Sequence, residues 1–319
     1  MAALMTPIVA QDQRCERRLR SLQIGVLSGS RAGLEMSPSS RSQLMGLKEL
    51  DVAIHDWDEL FVDIEGFEDD VCRMLSWFPT PNHELRVAVP KCTNAIAKCV
   101  LERLVAPTLA KLHVCNNGQF VADVDPMLVR PLVLSSFNPH ELPLMLTSLS
   151  LSRCLPSRIV SGFTDESWTF PASLYRLDLS QNGLTTGDLK FLQPLLPLNL
   201  RVLNLARNRF HTLPTPFPLN LRVLDISFNL ALSDDLDPAH WIEAIPLSLC
   251  KLIVFGCNLD DDVGRLLLAA RRRAGKTRIG APKLCINTST AWAAGSGFRF
   301  SSANRFSTDV YDALVGDLD

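Results

Sequence analysis

Nine cysteines and six histidines come first, because thiolates and imidazoles bind metals and attack carbonyl groups. Their spacing makes no metal site: Cys92 and Cys99 are seven apart, as are Cys250 and Cys257, and neither C-x-x-C nor H-E-x-x-H occurs. The sequence has no G-x-S-x-G and no recognisable cysteine-protease segment. Gly275, Lys276 and Thr277 echo the end of a phosphate-binding loop, but Ala270 stands where its first glycine belongs. The run Arg271 to Arg278 has the composition of a nuclear-localisation or nucleic-acid patch. However, Asp260 to Asp262 precede it and Arg271 to Arg273 open it, which is the charge order a helix dipole favours at its two ends. Asn287-Thr288-Ser289 is a glycosylation sequon, expected to stay unused without secretion. No catalytic residue, metal or cofactor is expected, and binding by a surface is what remains.

The elements that would build such a surface show in the leucines, 53 among 319 residues. From Leu146 the chain reads LTSLSLSRCL, from Leu174 LYRLDLSQNGL, from Leu200 LRVLNLARNRF, from Leu221 LRVLDISFNLA and from Leu249 LCKLIVFGCNL. These are five copies of L-x-x-L-x-L-x-x-[NC], stepping by 28, 26, 21 and 28 residues. A proline stands three positions ahead of each first leucine: Pro143, Pro171, Pro197, Pro218 and Pro246. Side chains alternate along a strand, so Leu177 and Leu179 face a core while Arg176, Asp178 and Ser180 face out. The closing Asn182, Asn208, Asn229, Cys154 or Cys257 supplies hydrogen bonds where the strand bends away. One copy cannot bury its leucine row alone, so several must stack.

With this pattern the chain resembles a leucine-rich repeat protein, which implies an α/β solenoid, a horseshoe with parallel strands on the concave face and helices or irregular segments on the convex face. The returns LTTGDLKFLQPLL and CNLDDDVGRLLLAA are similar to the ribonuclease-inhibitor-like subclass, with helical returns, whereas HTLPTPFP after Leu200 is too short and proline-rich for a helix. Weaker copies are read from Leu19 (LRSLQI), Leu47 (LKELDV), around Leu85 (ELRVAV), from Leu109 (LAKLHV) and from Pro282 (PKLCINTS). Helices are expected in FEDDVCRMLSWF and in TNAIAKCVLERLV, the latter capped by Thr93. The expected organisation is an N-terminal extension over residues 1–18, a solenoid over 19–286 with its strongest repeats at 143–273, and a tail over 287–319. That tail is loose from Asn287 to Ser302, and DVYDALVGDL forms a capping helix.

The net charge of -2 gives no reason to expect nucleic acid or an anionic membrane as main partner. No apolar run reaches the length that spans a bilayer, and Pro7 interrupts the N-terminal apolar stretch, so the expected location is the cytoplasm or nucleus, with reduced thiols. The outward strand positions then form the candidate partner site: Arg153, Tyr175, Arg176, Asp178, Gln181, Asn204, Arg207, Arg222, Asp225, Phe228, Lys251 and Phe255. Arginines and aromatics dominate protein interfaces, and Phe228 and Phe255 side by side on an outer face invite cover. By resemblance, a non-catalytic adaptor, scaffold or inhibitor of another protein is expected. The competing readings are a substrate-recognition part of a ubiquitin-ligase or signalling complex, and a nucleic-acid binder using the arginine-rich strands.

Overall fold

The structure, a computed structural model, describes residues 21–27, 47–55, 64–76, 78–89, 94–116, 142–154, 169–276 and 285–287. Residues 1–20, Thr93, most of the basic run's far end and the C-terminal tail lie outside them. The chain forms two compact units, Met1–Cys154 and Leu155–Asp319.

The first unit carries β1 (Ser21–Leu27), β2 (Glu49–His55), β3 (Glu84–Val89), β4 (Lys111–Asn116) and β5 (Ser148–Ser152), each paired in parallel with the next. Parallel neighbours need a crossover, and two are helical: α1 (Ile64–Leu75) and α2 (Asn94–Leu104), where the expected helices fall. In α2, Ile96, Val100 and Leu104 recur at helical spacing and are buried. Leu50, Leu85, Leu112 and Leu149 sit in one register across β2 to β5, all buried; two residues on, so do Val52, Val87, Val114 and Leu151. All four weak N-terminal copies are therefore strands.

The second unit has shorter strands: β6 (Arg176–Asp178), β7 (Val202–Asn204), β8 (Val223–Asp225), β9 (Lys251–Ile253) and β10 (Cys285–Asn287), again parallel and in sequence order. Leu177, Leu203, Leu224, Leu252 and Ile286 align and are buried. Each fully buried leucine contributes about 1.5–3 kcal/mol of transfer free energy. The returns differ as their sequences do. After β6 comes α3 (Thr186–Leu192), opened by a capping box in which Asp188 accepts from the Thr185 N–H at 2.8 Å. After β7 there is no helix, and after β8 come a short 3₁₀ turn and α4 (Pro238–Glu243). After β9, α5 (Asp261–Lys276) starts on acids and runs into the arginines, so the basic run up to Lys276 is the end of a helix.

The recurring proline also acquires a role. In each strong copy its carbonyl accepts the N–H of the first leucine, at 2.9 to 3.0 Å, closing the turn that feeds the strand.

Candidate protein-binding face

Counting from the first leucine of a copy, the ninth position holds the second unit together. The Asn208 side chain donates to the Leu205 carbonyl of its own turn at 2.9 Å and to the Leu179 carbonyl of the preceding turn at 3.1 Å. Its oxygen accepts the N–H groups of Asn182 and Leu184, at 3.1 and 3.0 Å. Asn229 repeats this one turn on, donating to Ile226 and Leu205 and accepting from Asn208. Both amides are buried, so they satisfy backbone groups that water cannot reach. Cys257 takes the same place and donates from sulfur to the Ile226 carbonyl at 3.0 Å; burial pushes its thiol up to about 12, so the proton it donates stays on. Cys154, in the first unit, donates likewise to Val114 at 3.2 Å. One parallel strand per turn, an aligned leucine row and a closing amide ladder define the architecture. It is a leucine-rich repeat fold.

Within these repeats the fifth position turns on itself. Asp178, Asn204 and Asp225 each accept the N–H two residues ahead, from Ser180, Ala206 and Ser227, at 2.9 to 3.0 Å. Asn204 also donates to Asp178 at 3.1 Å, and the Ser227 hydroxyl donates to Asp225. Burial, helped by the neighbouring negative charge of Asp178, raises the Asp225 carboxyl above its ordinary value, despite the Ser227 bonds and the Lys251 charge. These three residues, expected on the binding surface, are half-buried and serve the turn first.

That turn overrules the simple alternation. Alternation puts the seventh position outward, as expected for Ser180 and Phe255, yet Ser180, Ala206, Ser227 and Phe255 are all buried, Phe255 being 8% exposed. The reason lies one residue on: Arg153, Gln181, Arg207 and Phe228 all have φ between 58° and 61°, and Gly256 in the last copy has 68°. A left-handed residue reverses the chain, so two-residue alternation stops at the sixth position. Such a conformation costs an L residue about 1–2 kcal/mol, and a bulky one is seldom found there. The sequence marks this position only through Gly256.

The left-handed column also creates a cluster. The Arg207 guanidinium lies 4.3 Å over the Phe228 ring, and Phe228 meets Phe255 edge to face with centroids 5.0 Å apart. Thus Phe228 is the half-exposed ring and Phe255 the one beneath its edge. At the second position, Tyr175, Arg201 and Arg222 are exposed on consecutive turns. The carbonyl of Tyr175 accepts the Arg201 N–H and that of Arg201 the Arg222 N–H, both at 2.8 Å. Arg176 and Lys251 are exposed at the third position. Arg153, also exposed, belongs to the first unit.

Two features were not found from the sequence. In the first unit, Glu84 of β3 is buried and gathers Arg86 at 2.6 Å, Lys111 at 3.0 Å and His113 at 3.8 Å. Burial works to raise its carboxyl, but the bonds and charges of Lys111 and Arg86 outweigh it and hold it below its ordinary value. The register of β3 on β4 puts Glu84 beside Lys111 and Arg86 beside His113, which the outward columns of the weak copies would have given. In the second unit, Leu198 and Leu219 stand 79% and 77% exposed just after their turn prolines; the Asn220 side chain donates to the Leu198 carbonyl and fixes that edge of the turn.

Among the described residues, no group of three or more His, Cys, Asp or Glu is placed to hold a metal, and no helix is long and apolar enough to cross a membrane. No protein-family model and no curated protein matches the chain. Among solved structures, it is similar to the leucine-rich repeat-containing protein LegL7 from Legionella pneumophila, at 13% identity over 93% of this chain and 99% of that one, with a TM-score of 0.46.

Proposed function

We propose that the chain is a non-catalytic protein-interaction module, an adaptor, scaffold or inhibitor, that receives a protein partner on the strand face of its second unit. The observation that carries this reading is the Arg207–Phe228–Phe255 cluster. The left-handed eighth position of the repeat turns a phenylalanine out half-exposed with an arginine laid over its ring, and arginines and aromatics in such clusters anchor protein interfaces. Tyr175, Arg176, Arg222 and Lys251 are exposed at the second and third positions of these turns, and Gln181 and Asn204 add amides. The module acts in the cytoplasm or nucleus, because Cys154 and Cys257 work as protonated thiols within the ladder and disulfides are rare there.

The test is capture from native cell extract, read by mass spectrometry, with wild type and an Arg176→Glu, Arg207→Glu, Phe228→Ser variant whose melting is unchanged. Proteins retained by wild type and lost by the variant are the expected result. The same proteins retained by both baits, or none by either, would refute the strand-face reading.

A further inference from the structure

The charges of the second unit are segregated. Around β6 to β9 the exposed cations are Arg176, Arg201, Arg207, Arg209, Arg222 and Lys251, and among the described residues the acids there are Asp178 and Asp225 alone. Both are half-buried and already committed to the N–H groups of Ser180 and Ser227. The other acids of the described part of the unit, such as Asp234, Asp237 and Asp260 to Asp262, stand in the return segments. Among the described residues the ion pairs are those of Glu84, Lys98–Glu102 and Arg265–Asp262, so Arg176, Arg201, Arg209 and Arg222 have no carboxylate within 4.0 Å.

Arg201 and Arg222 make the arrangement costly. Each stands one residue before the paired Val202 and Val223, and the Arg222 N–H bonds to the Arg201 carbonyl, so the two occupy the same place on adjacent turns. Adjacent parallel strands lie about 4.8 Å apart, and like charges directly opposite repel at a spacing inside the Debye length of salt solution. In the first unit, by contrast, Arg86 and Lys111 meet across neighbouring strands with the Glu84 carboxylate between them. In the second unit no carboxylate among the described residues takes that place beside Arg201 and Arg222.

Building on the binding reading above, we infer that the partner supplies that counter-charge: the strand face of the second unit takes an acidic protein segment, rich in Asp and Glu and carrying an apolar side chain for the Phe228 ring. Carboxylates from the segment seat between Arg176, Arg201 and Arg222, and the Phe228 edge receives the apolar group. Asp178 and Asp225, turned to their own backbone, repel little of it.

The test uses the full chain and fluorescein-labelled probes read by anisotropy at 150 mM NaCl: a 12-residue Asp/Glu peptide with a central Phe, its Asn/Gln twin, and a 12-nucleotide oligothymidylate. The acidic peptide is expected to bind at least about tenfold tighter than its amide twin and tighter than the oligonucleotide. An Arg201→Glu, Arg222→Glu variant with unchanged melting should lose that preference. Equal affinity for both peptides, no binding by either, or a stronger hold on oligothymidylate would overturn the inference. If the capture experiment meanwhile still shows partners lost with the strand face, the binding reading stands and only the acidic partner falls.

Discussion

The two units present outer strand faces built on the same register, and they spend their charges in opposite ways. On the first, a buried carboxylate at Glu84 draws Arg86, Lys111 and His113 to itself, and the Gln23 amide approaches Asp51 at 3.4 Å. On the second, the carboxylates fold back onto their own turns while Arg201 and Arg222 stand exposed one above the other. Among the described residues the first face pairs its charges within itself, whereas the second leaves Arg201 and Arg222 to the partner proposed above. The strands differ too. β1 to β4 run for six or seven residues, whereas β6 to β10 have three; in β6, β7 and β8 the fifth-position side chain takes the seventh N–H and the eighth residue turns left-handed.

That contrast can be broken at several levels. Leu203→Ala removes a fully buried contact of the middle strand and should cost about 2 to 5 kcal/mol in chemical denaturation. Asn208→Ala strips the ladder from four backbone groups at once and should cost about 3 kcal/mol, while Asn208→Cys, which still donates as Cys257 does, should cost less. Equal losses for the two Asn208 variants would show that donation to the carbonyls contributes nothing.

Glu84→Gln should cost about 1 to 2 kcal/mol, the value of charged hydrogen bonds reduced by the exposure of Arg86 and Lys111. The Glu84 pKa is lower folded than its ordinary 4.5, so its contribution is complete above pH 4.5 and fades as pH falls through the lower folded value. The gap between wild type and Glu84→Gln should therefore close in acid, which denaturation at pH 7 and pH 3 will read. The smallest effect is expected at Asp225→Asn. Asn204 already does the same turn-closing work uncharged, so the change should stay within about 0.5 kcal/mol at pH 7. Because the Asp225 pKa is raised on folding from its ordinary 3.8, its ionised form weighs against the fold at neutral pH, and that weight lifts as pH falls through the folded value. A large destabilisation by Asp225→Asn would mean that its negative charge is needed.

How much of this the sequence disclosed follows the same divide. The five strong copies carry both a leucine row and a closing Asn or Cys, and their strands and buried leucine row were legible from those, as were the helical returns after Leu174 and Leu249 and the helix-free return after Leu200; the helix Pro238–Glu243 was not. The copies of β1 to β3 keep the row without the amide, with Leu27, His55 and Pro90 where an asparagine would close the turn; the copy of β4 has Asn117 there, and the copy of β3 has Asn82 in place of its first leucine, which is why these copies read as weak. At the candidate site the outward third and fifth positions were legible, because they lie within the alternating strand. The buried seventh position and the left-handed eighth were not, since Arg, Gln and Phe all accept the strained conformation and only Gly256 advertises it. Thus Phe255 was placed outward and lies beneath Phe228, and Arg207 gained an aromatic partner that no spacing rule supplies.

The most direct measurement compares two charge reversals of equal size against the captured partner. One variant carries Arg201→Glu and Arg222→Glu on the strand face; the other carries Lys190→Glu and Arg265→Glu on the exposed sides of the return helices. Titration calorimetry at 150 mM NaCl should show the strand-face variant weakened by about tenfold or more, roughly 1.4 kcal/mol, with the return variant within about twofold of wild type. Equal weakening by both would mean that net charge alone attracts the partner, and weakening by the return variant only would put the binding surface on the wrong side of the repeats.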